Sequence, residues 1–419
     1  MKNLGLNHDD RFPAHDDLIL YGLGGDIVRA VEPITEAHPI AVLAQLFAAF
    51  GTMIDQKAWF RVGEQVHHLK FWPILVGITS RGRKGVSWSI VERIMREIDL
   101  CFVDERMKSG LSTGEGLIWS VRDPIIEEPK TEDGEPIVKD KGVEDKRFLV
   151  IEEEFASILK LAKRDGAILS PTLRQAWDTG NLQIINKNSP CSATGAHIGI
   201  IGHITKPELL RNLDDTEAAN GFANRFCWLS IRRTKLLPSP PPLPDDLIQP
   251  LIDRFREVAK FARTAGELVR SPRADRIWAG LYRRLATTRD AFLVDAILSR
   301  GEAQVTRLAC LYALLDKSRV IEPEHLIAAW YFWEYSQNSA RYIFGDRLGD
   351  PVADRILEAL SSKGSLTRTG IQEALGRNVN HNRIETALEV LKRSGLATMV
   401  KGRAVPGKRA PETWLAVKT

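Results

Sequence analysis

The residues best suited to chemistry cluster in one short stretch, Gly77-Ile-Thr-Ser-Arg-Gly82-Arg83-Lys84-Gly85-Val-Ser87. It follows the apolar run FWPILVG and precedes an amphipathic segment, 86–98, with Val86, Ile90, Val91 and Ile94 on one face. A buried strand that feeds such a loop into a helix offers a phosphate both backbone N–H groups and the positive helix end. The usual spacing for this chemistry is G-x-x-x-x-G-K-[ST]. Here Lys84 stands one residue late, and Gly85 takes the place of the magnesium-binding hydroxyl. Ser87 supplies that hydroxyl if the loop is one residue longer. The alternative is a basic surface turn between a strand and a helix.

A triphosphate site also needs carboxylates at the end of a neighbouring strand, one in the magnesium shell and one to polarise the attacking water. The run Phe148–Ile151, followed by Glu152 and Glu153, has that form, with Glu where Asp is common. Glu152 is assigned to magnesium with Ser87, and Glu153 to the water. A strand leaving the core into a polar helix start reads the same way. The run His197–Thr205 is a further apolar strand, and His203 near its end is the first candidate to touch the γ-phosphate or orient water. Thr205 is the second, and a satisfied structural histidine is the alternative. Arg225, in Gly-Phe-Ala-Asn-Arg-Phe, sits on a short turn from which it would reach a neighbouring subunit's phosphate, unless it pairs locally with a carboxylate such as Glu217. Arg307 is flanked by Val305, Leu308 and Leu311. It points either at the nucleotide from a lid helix or into solvent.

The elements that must hold these groups are apolar strands separated by helices, the fourth of them Phe226–Ile231. That pattern implies an α/β fold with a mostly parallel sheet covered on both faces. A helical segment covers 25–53, 58–68 alternates like a hairpin, and 127–146 reads as a charged exposed loop. LLPSPPPLPDD (236–246) is a stiff linker, and 247–345 reads as all helix. The expected division is an N-terminal helical segment (1–57), an ATPase core (58–235), linker and helical lid (236–349) and a C-terminal domain (350–419). A length of 419 residues allows that many parts. Composition is that of a globular protein, 44% hydrophobic and 27% charged, with no apolar run of membrane-spanning length. The acidic N-terminus lacks the apolar core of a secretory signal. Cys101, Cys191, Cys227 and Cys310 share no short spacing, which argues against a metal site or disulfide framework and for a reducing cytoplasm.

Charge is unevenly distributed. Residues 350–419 carry 12 basic against 7 acidic side chains, while the whole chain has a net charge of only +4. A basic tail domain on a neutral body fits a polyanion partner. Val352, Ile356, Leu357 and Leu360 mark a first helix there, Thr369–Leu375 a second, and Ile384, Ala387, Leu388 and Leu391 a third. Two short strands, Leu396–Val400 and Thr413–Val417, follow, joined by a basic loop. This is a winged helix-turn-helix pattern. Its third helix presents Asn380, Asn382 and Arg383 to duplex DNA, and its wing presents Lys401, Arg403, Lys408 and Arg409 to phosphates. A winged helix used for protein contact is the alternative. Upstream, 182–198 forms a hairpin whose tip carries Lys187, placed to meet single-stranded DNA or, equally, to be an ordinary surface turn.

In order, these parts resemble the AAA+ P-loop ATPase core of minichromosome-maintenance-type helicases, and more closely the helicase-like replication proteins of phages, plasmids and integrated elements. LRQAWDTGNLQIINK is similar to their helix and hairpin, and GFANRF to their arginine-finger turn. The resemblance implies a helical lid, ATP and Mg2+ bound between subunits of a homo-oligomeric ring, often a hexamer, and DNA gripped in its channel. It implies phosphate contacts from Gly77, Gly82, Arg83, Lys84, Gly85, Ser87 and Arg307, and a helicase activity.

Overall fold

Every residue of Pro39–Met53 is buried. A helix apolar on all sides must lie inside a core. In the computed structural model it lies across four strands of a parallel sheet. The structure describes residues 11–77, 84–127, 137–185, 191–213, 217, 220–287, 290, 292–345, 351–393, 395–401 and 412–417, without the side chains of 84, 292, 351, 393 and 401.

The first two α-helices are α1 (Gly22–Val31) and α2 (Pro39–Met53). A hairpin of β1 (Ala58–Val62) and β2 (Gln65–His68) leads to β3 (Pro73–Gly77), α3 (Lys84–Ile98), β4 (Met107–Lys108) and α4 (Gly114–Trp119). The pair β5 (Ile125–Glu127) and β6 (Ile137–Asp140) precedes β7 (Arg147–Glu152), α5 (Ala156–Ala162) and α6 (Leu169–Asp178). The pair β8 (Leu182–Ile184) and β9 (Cys191–Ala193) precedes β10 (His197–Thr205), α7 (Lys206–Asn212) and β11 (Cys227–Ile231). Helices α8 (Asp245–Ala262), α9 (Pro272–Thr287), α10 (Phe292–Leu298), α11 (Gly301–Leu315) and α12 (Pro323–Phe344) follow.

Five strands form one all-parallel sheet in the order β11-β3-β10-β7-β4. The apolar runs predicted as strands are its four long members, β11, β3, β10 and β7, as expected for strands buried on both faces. One expectation needs correction: the acidic strand β7 is not beside β3, because β10 lies between them. Two glycines let β10 accept close neighbours. A Cβ at Gly199 would meet Thr52 of α2 at 1.9 Å, and one at Gly202 would meet Ile74 at 2.5 Å and the Phe155 ring at 2.7 Å. So residues 199, 201 and 203 face α2, whereas 202, with its register partners Ile74 and Glu152, faces the other side.

A second sheet has the order β13-β12-β1-β2, where β12 is Gly266–Arg270 and β13 is Val320–Ile321. The predicted hairpin at 58–68 is therefore real, but the all-helical reading of 247–345 is not. Gly266–Arg270 runs parallel to β1. Described residues within 1–288 and 297–343 form one compact unit, which joins the N-terminal helices, the sheet and most of the helical part.

Described residues within 289–296 and 344–419 form the other unit. It contains α13 (Pro351–Lys363), β14 (Ser365–Thr367), α14 (Arg368–Ala374), α15 (His381–Arg393), β15 (Ala397–Lys401) and β16 (Glu412–Ala416). The strands form an antiparallel sheet in the order β14-β16-β15. The apolar repeat read from the sequence, Ile356, Leu360, Ile384, Ala387, Leu388 and Leu391, is its buried core, with Ile371 and Trp414. Among the described residues, no helix is long and apolar enough to cross a membrane.

Candidate active site

The chain leaves β3 into α3 on the α2 side of the sheet. It leaves the adjacent strand β10 into α7, which packs on the opposite side with α5. Where two neighbouring parallel strands send their connections to opposite faces, a crevice opens outside their carboxyl ends, and ligands bind there. That switch point falls at Gly77 and Thr205, which are partners in register. Gly82 and Arg83 fall outside the described residues, as does the Lys84 side chain. What is described is that α3 begins at Lys84, with no acidic residue in its first turn. A Cβ at Gly85 would meet nothing within 4 Å among the described residues, so packing against them does not require glycine there.

Helix α3 buries Ser87, Trp88, Val91, Ile94 and Met95. The buried face is thus turned slightly from the predicted one, since Val86 and Ile90 are half-exposed. That turn takes the Ser87 hydroxyl inward, where it accepts a hydrogen bond from Gln45 Nε2 at 2.7 Å. Gln45 Oε1 lies 3.0 Å from His203 Nε2. Ser87 and His203, proposed on spacing alone, are therefore brought to one buried amide. Thr205 is the N-cap of α7: its hydroxyl donates to Glu208 Oε2 at 2.7 Å and accepts from the Glu208 N–H, a capping box.

The two glutamates separate. Glu152 is buried on the face opposite His203, and its Oε1 accepts the Leu111 N–H at 2.7 Å. Burial raises its pKa, and the backbone N–H groups of Leu111 and Gly110 oppose that rise. In register it stands level with Ile74, three positions short of Gly77, or about 10 Å along a strand. The expected convergence of Glu152 with Ser87 on magnesium does not occur; Glu152 instead anchors the loop after the edge strand β4. Glu153 is exposed in the turn beyond β7. Of the expected magnesium ligands, Ser87 has the right chemistry, a hard oxygen in the first turn of α3, and Glu152 is spoken for. No group of three or more His, Cys, Asp or Glu side chains among the described residues is arranged to hold a metal.

Arg225 and Arg307 belong to the amino edge of the sheet. Arg225 is buried; it pairs with Asp178 and donates to the Gly221 carbonyl. Its local partner is thus Asp178, not Glu217, which hydrogen-bonds Ser170 and Asn220. Arg307 lies 3.6 Å over the Trp177 ring and donates to the Lys70 and Trp177 carbonyls. Lys70 precedes β3 and Gly77 ends it, a separation of about 20 Å at ~3.3 Å per residue. Arg307 cannot reach a phosphate at Gly77 of its own chain, which corrects its assignment to the nucleotide.

Sequence reasoning missed Lys70. It is fully buried, and its Nζ donates to the Ala176 carbonyl at 2.6 Å. With Arg307 it satisfies the carbonyls at the negative end of α6. Burial, reinforced by Arg307, pulls its pKa down to about 7. Burial also holds His67 and His68 near 4, His38 near 3 and His197 well below its ordinary value. These imidazoles are neutral in the fold and take up protons when it opens. Their contribution is intact above pH 6.5 and is lost as pH falls toward 4. The melting temperature is expected to drop steeply over that window, and less steeply in a His67→Asn, His68→Asn variant. A flat profile down to pH 4.5 would contradict these environments.

In the C-terminal unit, Asn380 Oδ1 accepts the Arg383 N–H at 2.8 Å, so Asn380 caps α15. Asn382 is exposed at the start of that helix and Arg383 is half-exposed. Arg368 joins α14 to α15 and β16 through Glu385 and Glu412. Lys187, Arg403, Lys408 and Arg409, and the Lys401 side chain, fall outside the described residues. No protein-family model matches the chain, and no curated protein matches it in sequence.

Proposed function

We propose that the chain is a DNA-dependent ATPase, a replicative helicase of a mobile genetic element. It would be built on an AAA+-type P-loop core and work as a homo-oligomeric ring. The carrying observation is the topological switch at the carboxyl ends of β3 and β10, Gly77 and Thr205, beside a helix that starts with Lys84 and has no first-turn acid. A lysine at the positive end of a helix is unfavourable alone and becomes favourable with an anion bound there. Lys84 would bind the β- and γ-phosphates, Glu153 would orient water and His203 would flank the γ-phosphate. Catalysis of this kind is mostly positioning and charge stabilisation. Arg225 would serve a neighbour only after its pair with Asp178 opens. The C-terminal unit supports DNA binding by its helix–strand–helix–helix–strand–strand order, with α15 as the reading helix.

One observation favours a second reading, a nucleotide-binding DNA regulator that does not separate strands. Glu152, in the place of a metal-shell acid, is spent on backbone N–H groups. ATP turnover measured with and without single-stranded DNA decides between them. The motor reading predicts stimulation by DNA and opening of a forked duplex. ATP binding with no turnover under either condition would favour the regulator.

A further inference from the structure

Cationic side chains crowd around the end of α6 at the amino edge of the sheet, where three guanidiniums share one indole. Arg307, Arg300 and Arg225 lie 3.6, 5.0 and 5.8 Å from the centre of the Trp177 ring. Lys70 and Arg307 are accounted for by the carbonyls of Ala176 and Trp177 at the negative end of α6. Arg174, Arg225 and Arg300 are not. Arg174 and Arg225 donate to the successive carbonyls of Asn220 and Gly221, and Arg300 donates to Asn224 Oδ1 at 3.1 Å. Among the described residues, Asp178 is the one carboxylate paired with any of these cations: its Oδ2 meets Arg225, and its Oδ1 meets Arg300 at 3.3 Å. The Nε groups of Arg174 and Arg225 are buried with no partner among the described residues.

We propose that Arg174, Arg225 and Arg300 form a phosphate-binding site at this edge, opposite the Gly77 end of β3, and that Asp178 is an internal anion that only partly offsets their charge. One carboxylate does not balance so many cations, and like charges held in a poorly hydrated place favour a further anion. Burial, then Arg300 and Arg174, pull the Arg225 pKa below its ordinary value against the opposite pull of Asp178. The field reaches β2, where burial, then Arg307 and Arg300, lower the half-buried His67 to about 4. The cluster opens to solvent, since the Arg300 and Asp178 side chains are 33% and 36% exposed and Arg174 is half-buried. A planar guanidinium fork matches the oxygens of a phosphate. Trp177 is buried, so no nucleobase stacks on it, and the site recognises phosphate rather than a base. A nucleotide and a nucleic-acid backbone both carry that group.

The test uses the full chain carrying Lys84→Ala as parent, so that phosphate bound ahead of α3 does not contribute. If that segment binds nothing, the parent behaves as wild type and the comparison still stands. Sodium pyrophosphate and a short single-stranded oligothymidylate are titrated separately in low-salt buffer, by calorimetry and by thermal melts. A probe that binds the site is expected to raise the melting temperature by about 2–4 °C at about ten times its dissociation constant. Adding Arg300→Gln, which leaves Asp178 paired with Arg225, should weaken that probe about 10-fold or more. Adding Asp178→Asn instead should tighten it, because a nearby negative charge is removed. A loss confined to pyrophosphate assigns the site to nucleotide or free phosphate, a loss confined to oligothymidylate assigns it to a nucleic-acid backbone, and a loss of both means that either source serves. No binding of either probe to the parent, unchanged affinity for both in Arg300→Gln, or no tightening in Asp178→Asn would overturn the proposal. If Arg300→Gln melts far below its parent, Arg300→Lys is read by the same criteria, since lysine keeps the charge and loses the fork.

Discussion

Lys84→Ala is expected to abolish ATP turnover, by about 100-fold or more, while leaving the melting temperature within a few degrees of wild type. The expected size follows from what the lysine does. At the start of α3 it adds a full positive charge to the partial charge of the helix end, and under the proposed function this is where phosphate charge would develop during transfer. The small effect on folding follows from its place, since a lysine at a helix start opposes the helix dipole and its removal costs the fold little. Turnover by a steady-state phosphate-release assay, paired with a thermal melt, checks both halves. A variant that hydrolyses ATP at the wild-type rate would show that the segment ahead of α3 serves another purpose.

Arg307→Ala is expected to act on folding instead, with a loss of about 3 kcal/mol or more in urea unfolding. The guanidinium fills the space over Trp177 and donates to two carbonyls, one of them at the C-terminal end of α6. Alanine leaves a cavity and two buried acceptors unpaired. Arg307→Met should fall between wild type and alanine, because it restores volume without the donors. ATP affinity of the folded fraction should not change. Wild-type stability combined with weakened ATP binding would return Arg307 to the nucleotide and contradict its location at the amino edge.

Much of the sheet was readable because strands buried on both faces are continuous apolar runs, and Pro73–Gly77, Arg147–Glu152, His197–Thr205 and Cys227–Ile231 are of that kind. The C-terminal unit was readable because its helices carry a clean apolar stripe on a polar background. Strand order was not readable, since nothing in Phe148–Ile151 says that β10 intervenes before β3. The face on which Glu152 lies was hidden for the same reason: it depends on register with Gly202. Gly266–Arg270 was missed because a five-residue strand with only Leu268 buried has no apolar run to betray it. Arg307 was misread because α11 is buried nearly all round, so its flanking apolar residues do not say which way the arginine turns. Gln45 did leave a trace, a lone amide within IAVLAQLFAAF, that spacing rules for phosphate loops do not consider.

The most direct test is an equilibrium titration of the full chain with ATP and magnesium in the absence of DNA. If the carboxyl ends of β3 and β10 frame a nucleotide site, each chain takes up one ATP with a dissociation constant at or below about 1 mM. Heat or fluorescence changes no larger than those of a buffer control up to several times that concentration, about 5 mM, would contradict it.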